Sequence, residues 1–319
     1  MEELLVESRY LHPLTDFGFH RLFGTESCKE LLIDFLNEVI KDEGRITNIQ
    51  YLPPEQWGYT KNDRRAVFDI FCTNEKKEFF IVEMQKAKQP YFRDRSIFYA
   101  SLPIRKQAPR GKWNYRLKAV YVVAVLNFFL FKEFRDDKEH VIEYVHLVRE
   151  RTKTLYSKKL NFVFVELPKF KKTEKELITN FDKWLFVLKH LSRLEERPAA
   201  LQGKIFEMLF QLAEVKELSK EDMKEYRKSI LKYQDVRDAV DLAREEGIEE
   251  GREEGIEKGR EKGREEGREE GIIFIIQKCL QKNMPVEDIV DITGFSLEQI
   301  GRYIPSTPQP PEGGAGVCL

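Results

Sequence analysis

Val67 to Gln85 reads VFDIFCTNEKKEFFIVEMQ, and its pattern decides the fold. Two apolar runs rich in β-branched and aromatic residues, Val67 to Cys72 and Phe79 to Met84, flank a polar turn from Thr73 to Glu78, which predicts two antiparallel strands. A turn centred on Lys76 sets Asp69 opposite Glu83. Side chains alternate along a strand, so Val67, Asp69 and Phe71 share one face of the first strand, and Phe79, Ile81, Glu83 and Gln85 share one face of the second. The other faces carry Phe68, Ile70 and Cys72, and Phe80, Val82 and Met84. Both faces are largely apolar, which predicts a sheet covered on both sides.

Two facing carboxylates in such a place repel each other, and burial drives at least one toward its neutral form. A divalent cation resolves the conflict, because Mg²⁺ takes oxygen ligands, often one or two carboxylates completed by water and phosphate oxygens. Asp69 and Glu83 are therefore the candidate metal ligands, and Gln85 points the same way. The alternative is a hairpin whose acids reach solvent at a strand end or pair with a neighbouring Lys or Arg.

The chain of 319 residues has room for one large or two ordinary domains plus accessories, and its hydrophobic fraction of 41% is ample for a core. No apolar run reaches a transmembrane length and the start, MEELLVESRY, is acidic rather than signal-like, so a cytoplasmic protein without a membrane partner is expected. Cys28, Cys72, Cys279 and Cys318 lack CxxC spacing and the histidines form no HxxxH or HExxH pattern, which argues against zinc and against a disulfide framework. The net charge of −1 conceals strong segregation along the chain.

Ahead of the hairpin, TDFGFHRLF (Thr15 to Phe23) precedes an amphipathic run, SCKELLIDFLNEVIK, with Ser27 as expected N-cap and Glu30 completing a capping box. Asp16 either caps an earlier turn or is directed at the metal site. Ile46 to Leu52 predicts a strand ended by Pro53 and Pro54, and Glu55 to Arg65, with Lys61, Arg64 and Arg65, a loop over the site. After Gln85, Lys86 to Lys118 holds ten Lys or Arg against the single acid Asp94, interleaved with Tyr91, Phe92, Phe98, Tyr99, Trp113 and Tyr115. Such a basic, aromatic-rich element beside a carboxylate pair suits a phosphodiester substrate. Its alternative is a solvated helix whose aromatics face the core, which is expected of Phe98 and Tyr99.

Ala119 to Phe131, AVYVVAVLNFFLF, predicts a buried central strand, and Val141 to Val148 and Asn161 to Leu167 predict two more. The fold class is thus α/β, a mixed central sheet flanked by helices, followed by a helical C-terminal region. Amphipathic helices are predicted over Thr173 to Leu194 and Leu201 to Glu217, and Lys220 to Arg244 continues helical. Glycine then recurs every fourth residue from Gly247 to Gly271, and Arg244 to Glu270 carries seven bases against twelve acids, which argues against DNA contact there. This segment is a solvated helical spacer or a self-association helix. Beyond it, MPVEDIVDITGFSLEQIGRYI predicts helix, turn, helix, with Gly294 as a stop and Ser296 with Gln299 as a capping box. With Arg302 its only base, packing or homo-oligomer formation is expected of it rather than DNA reading. The domain boundaries expected are a core over 1–168, a helical module over 169–243, the glycine spacer over 244–271, a small helical unit over 272–304 and a disordered tail over 305–319.

TDFGFHRLFG, the FDIFC and VEMQ pair, YFRDRSIFYAS with RKQAPRGKWNYRL, and VYVVAVLNFFLF together resemble the Rpn-type recombination-promoting nucleases, also described as transposases of the PD-(D/E)XK nuclease superfamily. The resemblance runs from about Pro13 to Phe131, and the glycine repeat with its small helical end is also similar to that family. It implies a restriction-endonuclease-like core and a Mg²⁺-dependent DNA endonuclease, with Mn²⁺ as alternative cofactor, that assists recombination. The family pattern of an Asp, then an acid, then Lys or Gln after one intervening residue falls on Asp69, Glu83 and Gln85. The resemblance implies that Gln85 orients water, that Asp16 adds a ligand or water contact, and that Arg64, Lys86, Arg93, Arg95 and Gln107 hold DNA. Two departures stand out: His20 replaces the usual Lys of the opening motif, and Gln85 removes the superfamily's Lys cation. A catalytically weak DNA-binding or oligomerising protein on the same fold is the alternative.

Overall fold

The computed structural model describes residues 8–40, 44–56, 66–108, 111–131, 133 and 140–303. Arg64, Lys61, Arg65, Arg110, Cys318 and the tail over 305–319 lie outside the described residues. The chain divides into two compact units, Met1–Asp241 and Leu242–Leu319.

The first unit is built on a six-stranded mixed sheet. Its strands are β1 (Ile49–Tyr51), β4 (Ile70–Asn74), β5 (Phe79–Gln85), β6 (Val120–Leu126), β7 (Ile142–Val148) and β8 (Leu155–Glu166), ordered β1-β4-β5-β6-β8-β7. A separate two-residue ladder joins β2 (Glu55–Gln56) to β3 (Ala66–Val67). The hairpin pairs Ile70 with Val82, Phe71 with Ile81 and Cys72 with Phe80, the register expected from a turn centred on Lys76. Strand β5 then runs parallel to β6 and β6 parallel to β8, while β7 closes the far edge antiparallel to β8. Every residue of β6 is buried, as its unbroken apolar run requires of a central strand.

Ile70, Cys72, Phe80, Val82 and Met84 face α1 (Asp16–Phe23), α2 (Lys29–Val39), α4 (Asn180–His190), α5 (Lys204–Ala213) and the first turns of α6 (Lys220–Gln281). Phe23, Phe35 and Trp184 form the aromatic centre of that layer, with ring centroids 5.4 to 5.6 Å apart. Phe71 and Ile81 face the opposite layer, where α3 (Phe92–Lys106) makes the crossover from β5 to β6. A side chain at Gly18 would collide with the backbone oxygen of His12, so the tight entry into α1 requires glycine there.

Several local expectations are corrected. The first hairpin strand does not run unbroken from Val67 to Cys72: the ladder stops at Phe68 and Asp69, because β3 pairs with β2 whereas β4 pairs with β1 and β5. The break resets the alternation, so Phe68 joins Phe71 in the α3 layer, their rings 5.3 Å apart, and Val67 is exposed. Thr25, not Ser27, opens the run into α2, in a capping box with Cys28. Thr15 caps α1 through a hydrogen bond from Gly18 N, which leaves Asp16 free of the capping role. Phe98 is 41% exposed rather than core-facing, while Tyr99 packs on Phe68. Among the described residues no helix is long and apolar enough to cross a membrane.

Helix α6 is continuous through the whole glycine repeat, and the boundary between the two units falls inside it. The second unit has its own small core of Ile276, Ile289 and Ile300, supplied by the end of α6, α7 (Val286–Thr293) and α8 (Leu297–Gly301). Gly294 ends α7 in the left-handed region at φ +72°, and Ser296 with Gln299 forms the capping box of α8, both as the sequence predicts.

Candidate active site

The strand break at Asp69 turns its backbone toward β5, and the site grows from that turn. Asp69 Oδ2 accepts a hydrogen bond from Met84 N at 2.7 Å, while Asp69 N donates to Glu83 Oε1 at 3.3 Å. Gln85 Nε2 donates to Glu83 Oε2 at 3.2 Å, and Gln85 Oε1 accepts from Arg95 Nη2 at 2.7 Å. Asp69, Glu83, Gln85 and Arg95 thus form one continuous hydrogen-bonded row. Arg95 reaches it from the first turn of α3, where its guanidinium lies 5.0 Å from the Phe92 ring and 5.8 Å from the Tyr99 ring and also donates to Gln89. Its Nε is buried with no hydrogen-bond partner among the described residues.

The electrostatics of the pair are those of two acids competing for one place. Glu83 is 4% exposed, and burial, then the charge of Asp69, raises its carboxyl well above the ordinary range. Asp69 is exposed as a residue at the mouth of the site, yet its carboxyl is turned inward and crowded by protein. That crowding raises it, against the Met84 N–H, which favours the charged form, and the charge of nearby Asp16 adds to the rise. Neither carboxylate has a Lys or Arg within ion-pair distance among the described residues.

This donor set fits a hard divalent cation. Two oxygen ligands whose mutual repulsion is unrelieved gain most from an added positive charge, and the described residues bring no third His, Cys, Asp or Glu to them. Such a set leaves the remaining positions to water and substrate oxygens, the arrangement Mg²⁺ favours.

Asp16 stands beside this row in the first turn of α1, 2.7 Å from Lys86 Nζ and 2.7 Å from Lys232 Nζ. Burial would raise its carboxyl, but Lys232 and then Lys86 outweigh it and hold Asp16 below its usual value. Lys86 sits off the hydrogen-bond axis of that pair, with a nearly buried side chain. Arg93 donates to Leu130 O at 3.1 Å and lies over the Phe131 ring, tying α3 to the loop after β6. Gln107 clamps the backbone of Lys118, accepting from its N at 2.7 Å and donating to its O at 3.3 Å. The fold therefore gathers Asp69, Glu83, Gln85 and Arg95, sets Asp16 and Lys86 next to them, and gives Arg93 and Gln107 anchoring bonds to loops.

Sequence reasoning missed Lys232, which lies 216 residues from Asp16 and carries no local signal. It also missed the buried pair of Lys169 and Glu166, whose Oε1 accepts from Leu130 N and Phe131 N and fixes the same loop that Arg93 touches. An acid and a lysine three residues apart just past a strand are a faint hint of it.

The family described as PD-(D/E)XK nuclease family transposase matches the chain over residues 13–243. No curated protein and no solved structure matches it.

Proposed function

The chain belongs to the PD-(D/E)XK nuclease family transposases, and on that premise we propose that it is a Mg²⁺-dependent DNA endonuclease that hydrolyses phosphodiester bonds in recombination or transposition. Nucleases of this superfamily are generally dependent on divalent metal. The observation that carries the proposal is the hydrogen-bonded row Asp69, Glu83, Gln85, Arg95, which pairs two unneutralised acids with one guanidinium.

Asp69 and Glu83 would hold the ion, which when bound polarises a phosphate oxygen and lowers the pKa of a water. Gln85 fixes Glu83 through its Nε2 and anchors Arg95 through its Oε1. Arg95 brings to Gln85 the positive charge that a lysine at position 85 would bring. Asp16 holds Lys86 at the edge of the site, where a strand phosphate gains from a cation. Around them, exposed Arg93, Lys88 and Tyr91 offer the charge and the stacking surface a nucleic acid uses. The second unit is assigned to self-association in the same proposal, and the protein to the cytoplasm.

Plasmid cleavage by the full chain at low salt tests this, with Mg²⁺, with EDTA, and with Asp69→Ala and Glu83→Ala. Nicking that requires the metal and both carboxylates is the expected result. Salt-dependent DNA binding without any cutting would instead favour the binding-protein reading, which the uncharged Gln85 supports.

A further inference from the structure

A cavity of about 340 Å³ opens where β5 and β6 end. Lys86 and Asn127 contribute the strand ends, Lys189 and Arg193 the end of α4 and the turn after it, and Tyr233 and Arg237 a stretch of α6. The carboxyl ends of parallel strands are where open α/β sheets bind ligands. Asn127 N donates to Gln85 O at 3.0 Å, so the cavity begins one residue from Gln85 in that row.

Its charge is strongly unbalanced. Lys86, Lys189, Arg193 and Arg237 line it against the single acid Asp241 among the described lining residues. Lys86 is paired with Asp16, and Arg237 lies 3.6 Å from Asp241. Lys189 is fixed by the carbonyls of Leu167 and Phe170, and Arg193 has no acid partner among the described residues. Burial lowers His12 to about 4, and the charges of Arg193, Lys86 and Arg237 act in the same direction. Its Nδ1 accepts from Leu14 N at 3.2 Å, and its ring lies 4.3 Å from that of Tyr233, so a neutral imidazole and a phenol ring form one wall. A concave site with this excess of cations attracts an anion, and its aromatic wall suits a sugar or base more than a bare inorganic ion.

We propose that this cavity is a nucleotide subsite, in which the exposed Arg193 and Arg237 grip a phosphate of the DNA strand engaged at Asp69 and Glu83, Lys86 adds its charge from below the surface, and Tyr233 packs against the attached sugar or base. The identity of the ligand as a DNA strand rests on the nuclease reading; the phosphate chemistry of the cavity does not. Lys86 leaves β5 on the face opposite Gln85, yet its charge is felt at Asp69, where it favours the charged carboxylate, so the cavity adjoins the acidic pair at the strand ends.

The test is imidazole NMR of the full wild-type chain in EDTA, where no cutting occurs, with the His12 signals identified through His12→Gln. The probes are inorganic phosphate, a deoxynucleoside 5′-monophosphate and a short single-stranded oligonucleotide without a terminal phosphate. A saturable shift of the His12 signals with the mononucleotide and the oligonucleotide is expected, and Arg193→Ala and Arg237→Ala should each weaken it about tenfold. Silence of His12 toward all three probes would overturn the subsite, as would binding unchanged in both arginine variants. A response to inorganic phosphate or the mononucleotide alone would overturn the assignment to an internal strand phosphate. Plasmid cleavage is read separately: a responding His12 in a protein that does not cut leaves the subsite standing and the nuclease reading rejected, and the converse rejects only the subsite.

Discussion

Arg95 Nη2 donates to Gln85 Oε1 at 2.7 Å, so a guanidinium from a helix stands beside a strand position whose own side chain is uncharged. The two residues are ten apart, and the bond exists because α3 starts its crossover directly above the end of β5.

If that guanidinium serves the reaction, Arg95→Ala lowers metal-dependent nicking by about 10²- to 10³-fold, the usual loss on removing one preorganised donor. Gln85→Lys introduced into Arg95→Ala should recover part of the rate, because the new ammonium starts from the same strand position. Single-turnover nicking measures both. Wild-type rates in Arg95→Ala would reject the role.

Glu83 gives a pH-dependent stability of definite sign. A carboxyl raised in the folded state binds its proton more tightly there, so its stabilising contribution is complete below the unfolded value near 4.5 and is lost as pH rises through the folded value. Asp69, raised to about 6, acts in the same direction. In EDTA, Glu83→Gln should therefore be more stable than wild type at pH 8, and the gap should close toward pH 4.5. Mg²⁺ should raise the melting temperature of wild type at pH 8 and leave Glu83→Gln unmoved. A gap that does not vary with pH would contradict this account.

Lys169 and Glu166 are fully buried side chains 2.7 Å apart, and Glu166 also receives two backbone N–H groups from the loop after β6. Lys169→Met leaves that carboxylate buried without its cation, which costs about 3–5 kcal/mol. Adding Glu166→Gln should restore a substantial part of the loss, since the neutral amide still accepts from the loop. Urea denaturation of the three proteins measures this, and an unchanged midpoint in Lys169→Met would refute it.

The glycines of the repeat in α6, Gly247 to Gly271, have open space where a side chain would stand. Gly251→Ala and Gly259→Ala should each stabilise the helix by about 0.5–1 kcal/mol, visible as increased helicity and a higher melting temperature. Sedimentation of the same variants asks whether the glycines serve close contact between copies: an unchanged mass in every variant leaves them with no part in association.

The sequence by itself determined what rests on short-range periodicity. Alternation fixed which faces of Ile70 to Cys72 and of Phe80 to Met84 meet each layer, the turn centred on Lys76 fixed the register that pairs Ile70 with Val82, and the unbroken apolar run marked β6 as central. Gly294 and the Ser296 box marked the last helices for the same reason, since capping involves residues within one turn. Tertiary structure alone decided the rest. The ladder break at Phe68 and Asp69 depends on β3 finding β2, a pairing with no counterpart in the alternation of the strand itself. The partners of Asp16, Gln85 and His12 are set by where α3, α4 and α6 come to rest on the sheet, and charge pairs that form across 216 residues leave no period in the chain to read.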